Sequence, residues 1–307
     1  MTRVVVAGAG SIGSLLAAHL ARVADVTVLT RREEHAAALR EQGLRVSGRS
    51  HFTAQLGATA DPAALPEDAE LAILACKGTD LEPLAARLEG TLAGATVMTI
   101  QNGLGAEEIA AAHGGWPLLS AVTFMSGTRH GDAHVEYVLD TATWIGPYRG
   151  TGEEDARRVA ELIQAGGLKA EAFPDLRPAQ WSKLIFNATV NGVAALTGLP
   201  HDFHFAQTQA LSDLGHLVRD LVDEGKAVAD AAGVELHDDP WEMNVLATQR
   251  GHRHLPSMLE DVEARRPTEL ELINGALVRE AERLGVSVPL QTAVYRLVKA
   301  REASYSE

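Results

Sequence analysis

Val4-Val5-Val6-Ala7-Gly8-Ala9-Gly10-Ser11-Ile12-Gly13 opens with an apolar, β-branched run and continues into G-x-G-x-x-G. The run reads as a buried strand, and the glycines carry it through a tight turn into a helix over residues 11–22. Gly8 permits the turn, Gly10 lets the backbone approach a pyrophosphate, and Gly13 allows close packing of helix on strand. The first-turn N–H groups of Ser11, Ile12 and Gly13 then face the phosphates with the positive end of the helix dipole behind them. A glycine-rich βα turn with no ligand is the competing explanation, and the surrounding pattern weighs against it. Residues 4–20 are also mostly apolar behind Arg3, as a leader would be, but Gly8, Gly10, Gly13, Ser11, Ser14 and His19 interrupt them.

Working outward, the first half alternates short apolar strands with helical periods. Residues 25–30, 71–76 and 95–100 read as further strands, with helices over 81–92 and 153–164. Residues 134–139 and 141–145 read as an added hairpin, and a strand near 169–173 closes the sheet. Continuous apolar strands between helices imply a parallel sheet covered on both faces. Beyond residue 173 the strand signals fade, and helical periods cover 179–197, 206–232, 238–264, 268–284 and 289–304. The expectation is an α/β Rossmann-type, doubly wound parallel-sheet domain over residues 1–173, followed by an all-α domain over 174–307.

The 307 residues carry 27 Lys+Arg against 41 Asp+Glu, a net charge of −14, which argues against nucleic-acid or anionic-membrane partners. No stretch reaches the apolar length of a membrane span. The single cysteine, Cys76, excludes an intramolecular disulfide framework, and the expected compartment is the cytoplasm. The twelve histidines, His252 and His254 among them, show no metal-ligand spacing, so no metal is expected.

Three places carry candidate chemistry. The second strand ends Leu29-Thr30-Arg31-Arg32 where an NAD site usually has an acid. An arginine there pairs with a 2′-phosphate, which points to NADP(H) through Arg31, unless both arginines simply begin a solvated helix. Cys76-Lys77-Gly78-Thr79 and Gln101-Asn102-Gly103 follow strand ends, where open α/β sheets bind ligands. Spacing alone leaves Lys77 and Asn102 undecided between cleft contacts and ordinary turn residues. In the helical half, Lys183, Asn187 and Asn191 recur every four residues on an otherwise apolar helix. Asparagine is a poor helix former, so the stripe is either a ligand-lining face or a narrow solvent face. Ser257 opens S-x-x-E, a capping-box pattern, and Thr268 reads as a cap with Glu269 in the first helical turn.

VVVAGAGSIG, ACKGT, QNGLG, WSKLIFNATVN and SMLEDVEARRPTELELINGALV, in this order across essentially the whole chain, resemble the ketopantoate reductase family. The resemblance implies a Rossmann domain and a helical domain with the active site between them, reducing 2-dehydropantoate to (R)-pantoate with NADPH. Residue by residue it implies that Lys183 is the catalytic lysine, that Asn187 and Asn191 bind substrate, and that Ser257 meets the substrate carboxylate or hydroxyl. Asn102, Lys77 and Glu269 match the cofactor and active-site cluster, and Arg31 matches the 2′-phosphate arginine. Lys183 would then protonate the oxygen as hydride reaches the ketone carbon, with an ordinary lysine already protonated at pH 7. Glu269 would orient Lys183 or the cofactor ribose.

The chain departs from the family pattern at Leu199-Pro200-His201-Asp202-Phe203, at His254, and in the bulky apolar loop expected at Val122-Thr123-Phe124-Met125-Ser126. These leave open a reductase of another 2-oxo acid with a larger or more aromatic side chain. A non-catalytic NADPH-binding regulator is the third possibility, against which Lys183 and Glu269 argue. The sequence leaves undecided whether helical-domain surfaces pair two copies into a homodimer.

Overall fold

The computed structural model describes residues 1–207, 212–249 and 255–306. The described chain divides into two compact units, one of Met1–Gln101 with Ala106–Leu176, the other of Asn102–Gly105 with Arg177 onward.

The first unit is built on an eight-stranded sheet. In chain order its strands are β1 (Arg3–Ala7), β2 (Asp25–Leu29), β5 (Gly57–Thr59), β6 (Leu71–Leu74), β7 (Thr96–Thr99), β8 (Leu118–Thr123), β11 (Thr143–Arg149) and β12 (Ala170–Ala172). Their spatial order is β12-β11-β8-β7-β6-β1-β2-β5. Strands β5, β2, β1, β6, β7 and β8 pair in parallel, while β11 runs antiparallel to β8. The strands are near-continuously apolar because both faces are covered. One face packs against α1 (Ser11–Leu20) and α5 (Glu153–Ala165), and the other against α3 (Gly78–Arg87) and α4 (Ala106–His113). α2 (Glu33–Gln42) follows β2. The expected α/β class is therefore present.

A second, four-stranded sheet was not anticipated. It orders β4 (Phe52–Ala54), β3 (Leu44–Gly48), β10 (His134–Leu139) and β9 (Ser126–Gly131), and it contributes Val46, Ala54, Val135 and Tyr137 to the core that contains α1. This corrects the expected hairpin of residues 134–145. β10 pairs with β3 and β9, whereas β11 joins the large sheet beside β8. Two adjacent alternating runs satisfy a hairpin pattern equally well, and only long-range pairing separates them.

The second unit is helical: α6 (Arg177–Thr197), α7 (Asp213–Ala231), α8 (Pro240–Thr248), α9 (Ser257–Glu263), α10 (Asn274–Leu284) and α11 (Pro289–Ala303). The single period expected over 238–264 is two helices, α8 and α9. Leu184, Ile185, Ala188 and Val193 of α6 centre the core, with Leu221 and Val222 of α7, Leu259 of α9, Leu277 of α10 and Val298 of α11 around them. Among the described residues, no helix is long and apolar enough to cross a membrane.

Candidate active site

In the first unit the glycine turn leaves β1 and enters α1. Gly8 has φ +109, and a Cβ there would lie 2.5 Å from the Cys76 nitrogen at the end of β6. A Cβ on Gly13 would fall 2.0 Å from the Gly8 oxygen, so turn and helix touch through backbone. Gly10 differs: a Cβ there would meet only the Ala75 oxygen at 4.0 Å, so the space above the N-cap is open. No side chain caps the helix and no acid occupies its first turn, so the N–H groups of Ser11, Ile12 and Gly13 keep their full pull on an anion. This open, uncapped cradle fits a dinucleotide pyrophosphate.

Arg31, just past β2, is 81% exposed with Nη1 4.0 Å from Asp80 Oδ1. Arg32 is committed elsewhere: its Nη2 donates to both carboxylate oxygens of Asp132, at 2.8 and 3.0 Å. Of the two arginines expected at this strand end, Arg31 is thus the available cation. Lys77 is exposed at the N-cap of α3, at the carboxyl end of β6. Gln101, at the end of β7, is buried and donates to the Leu74 and Cys76 oxygens at 2.7 and 3.0 Å, holding the two strand ends together.

The second unit gathers the remaining candidates. Lys183, Asn187 and Asn191 lie on one stripe of α6 and are only 8, 7 and 6% exposed, which excludes the solvent-face explanation. Burial pushes the Lys183 ammonium down to about 8, against the opposing pull of the Glu269 carboxylate. The ordinary lysine pKa expected from sequence is corrected accordingly, because helical periodicity does not report depth. Asn191 Oδ1 accepts the Met258 backbone N–H at 3.3 Å, tying the stripe to the start of α9. Asn187 is buried, and among the described residues its amide has no hydrogen-bond partner.

Asn102–Gly105 folds with this unit. Asn102 Nδ2 donates to Glu269 Oε2 at 2.8 Å, and the Leu104 N–H donates to the Leu272 oxygen at 2.9 Å. Gly103 makes this possible: its φ is +96, and a Cβ would sit 1.9 Å from the Leu272 oxygen. Two residues 167 positions apart, expected in one cluster, do meet.

Two expected caps change. Pro256 is the N-cap of α9, and Ser257 is its exposed first residue, so the capping box does not form and the hydroxyl is not spent on the helix. Thr268 Oγ1 accepts the Leu270 N–H at 3.1 Å, but α10 begins at Asn274, so Glu269 lies in a preceding turn. His201, in the stretch that departs from the family pattern, is buried against Asn244 Oδ1 at 2.8 Å. His252 and His254 lie outside the described residues. Among the described residues, no three His, Cys, Asp or Glu side chains gather as metal ligands.

The family model described as Ketopantoate reductase PanE/ApbA matches residues 4–150, and its C-terminal counterpart matches residues 175–302. The 2-dehydropantoate 2-reductase of Archaeoglobus fulgidus is 31% identical over 301 residues, covering 98% of both chains. That of Halobacterium salinarum is 32% identical over 307 residues, covering 97% of this chain and 98% of the relative. A PanE/ApbA family ketopantoate reductase from Ralstonia eutropha JMP134 superposes with a TM-score of 0.90 at 26% identity, covering 100% of both chains. The chain belongs to the ketopantoate reductase family, oxidoreductases that act on a CH–OH group.

Proposed function

We propose that this chain reduces 2-dehydropantoate to (R)-pantoate with NADPH, with Lys183 as the general acid. The observation that carries the reading is the buried stripe of Lys183, Asn187 and Asn191 on α6, with Glu269 acting on the lysine and the Asn187 amide unpartnered among the described residues. When bound, NADPH supplies the hydride. Gly8, Gly10 and Gly13 shape its pyrophosphate seat, the N–H groups of Ser11 and Ile12 meet the phosphates, and Arg31 meets the 2′-phosphate. Lys77 would contact the cofactor or the substrate carboxylate, and Asn102 would hydrogen-bond at the nicotinamide end.

Lys183 holds a proton at Nζ and releases it to the oxygen on which negative charge develops, a contribution of ~10²–10⁴-fold. With its pKa pushed down to about 8, it is a stronger acid than an exposed lysine while still mostly protonated at neutral pH. Asn102 holds the Glu269 carboxylate, which stabilises the ammonium against burial. Asn187, Asn191 and Ser257 orient the oxo acid. The substrate domain is residues 174–307, the dinucleotide domain is residues 1–173, and the expected compartment is cytoplasmic.

One observation favours a second reading, a reductase of a 2-oxo acid with a larger apolar side chain. Phe124, Trp144 and Phe173, beside the carboxyl end of β8, form an aromatic row with centroids 6.2 and 5.7 Å apart. Purified protein with NADPH and a panel of 2-oxo acids tests both. Preferred turnover of 2-dehydropantoate supports the first reading, and turnover of an aromatic oxo acid without it supports the second. NADPH binding without any turnover overturns both in favour of a regulator.

A further inference from the structure

Arg31 and Arg32 are not the whole positive charge at the glycine turn. Arg129 lies on β9 of the second sheet, 120 residues from the turn in sequence, yet its Nη1 donates to the Ala9 oxygen at 3.1 Å. That is its only hydrogen bond among the described residues, and no carboxylate there pairs with it. By contrast, Asp132 on the β9–β10 turn takes both hydrogen bonds of Arg32. The placement of Arg129 is enforced by packing: β9 lies so close over α1 that a Cβ on Gly127 would come 2.8 Å from Leu15 Cδ1. The side chain is exposed, so the guanidinium stands at the rim of the open cradle with four of its five N–H donors uncommitted.

We propose that Arg129 is a phosphate-binding residue of the dinucleotide site, anchored by the Ala9 carbonyl and offering its remaining donors to a phosphate of the bound cofactor. The inference rests on reading the glycine turn as the NADP(H) site. A guanidinium suits this role because its planar fork can hold a carbonyl on one edge and a phosphate on another. One donor on a neutral carbonyl leaves its charge uncompensated, and an arriving phosphate compensates it.

The test is calorimetric titration of the full-length protein with NADPH, adenosine 2′,5′-bisphosphate and ADP, for wild type, Arg129→Gln and Arg129→Lys. Glutamine keeps a neutral donor for Ala9 and removes the charge. The expected result is NADPH affinity weakened roughly ten- to hundredfold in Arg129→Gln, with much of it restored in Arg129→Lys. The salt dependence of binding should also be shallower in the glutamine variant. A loss confined to NADPH and the bisphosphate supports a 2′-phosphate contact, and a loss shared by ADP supports a pyrophosphate contact. Unchanged affinity for all three ligands overturns the proposal. So does weakened binding with wild-type salt dependence, since the arginine would then only brace the turn. If wild type itself binds none of the three, the reading of the turn as a dinucleotide site fails first.

Discussion

The glycine turn and the α6 stripe both receive polar ligands in the proposed reaction, but they are built in opposite ways. The turn is backbone: three glycines, an uncapped helix and open space above Gly10. Its chemistry is local, because Gly8 to Gly13 are consecutive and their geometry follows from missing Cβ atoms. The stripe is side chain: a lysine and two asparagines buried in an apolar helix, tied to Glu269, Asn102 and Met258 from distant segments. Its chemistry is tertiary, because burial and a remote carboxylate together set the lysine's proton affinity. Binding should therefore fail when the turn is altered, and chemistry when the stripe is altered.

The largest expected effect is at Lys183. Lys183→Ala should lower kcat ~10²–10⁴-fold while the Kd for NADPH stays within about twofold. Stopped-flow turnover alongside fluorescence titration reads both, and a near-normal kcat would falsify the acid role. Arg31→Ala should do the reverse, weakening NADPH roughly ten- to hundredfold with little effect on NADH. Equal weakening of both cofactors would break the assignment of the 2′-phosphate to Arg31.

A smaller effect is carried by pH. With the Lys183 ammonium at about 8, kcat/KM for reduction should be flat below that pH and fall tenfold per unit above it, while oxidation of the hydroxy acid shows the opposite limb. Glu269→Gln removes the carboxylate that raises this pKa, so the limb should move to lower pH. A limb that stays in place or moves upward would uncouple the pair.

The smallest effect separates function from stability. The Lys183 ammonium is destabilised in the fold, so below pH 8 both folded and unfolded states carry the proton and the full penalty applies. Between about 8 and 10.5 the unfolded state binds more protons, and stability rises with pH. Lys183→Met should then stabilise the fold by at most about 3 kcal/mol near pH 7, with the gain vanishing above pH 10.5. Denaturant melts at the two pH values measure this, and a gain independent of pH would mean that packing, and not charge, is responsible.

Legibility followed the same division. β1, β2, β6, β7, α1 and α5 were visible because periodicity is local and their faces are cleanly apolar. β3, β4, β5, β8 and β9 were missed: β4 and β5 are three residues each, β9 reads SGTRHG with an exposed second half, and residues 122–126, expected as a loop, instead hold the end of the buried β8 and the start of β9. Strands of that kind exist because neighbours pair with them. Within the candidate site, the i, i+4 stripe was legible, but whether it faced water was not. The S-x-x-E pattern at Ser257 was legible and misleading, because Pro256 takes the cap.

By itself the sequence determined the glycine-rich strand–turn–helix, the absence of an acid after β2, the α/β-then-helical order and the positions of Lys183, Asn187 and Asn191 on one helical face. Each follows from steric or periodic rules acting over a few residues. Only the tertiary structure decided that Arg32 is neutralised by Asp132, that Arg129 reaches Ala9, that Asn102 meets Glu269, and that Lys183 is buried enough to lose proton affinity. Charge pairing and desolvation depend on distance through space, and the chain brings these atoms together from 100 to 167 residues apart.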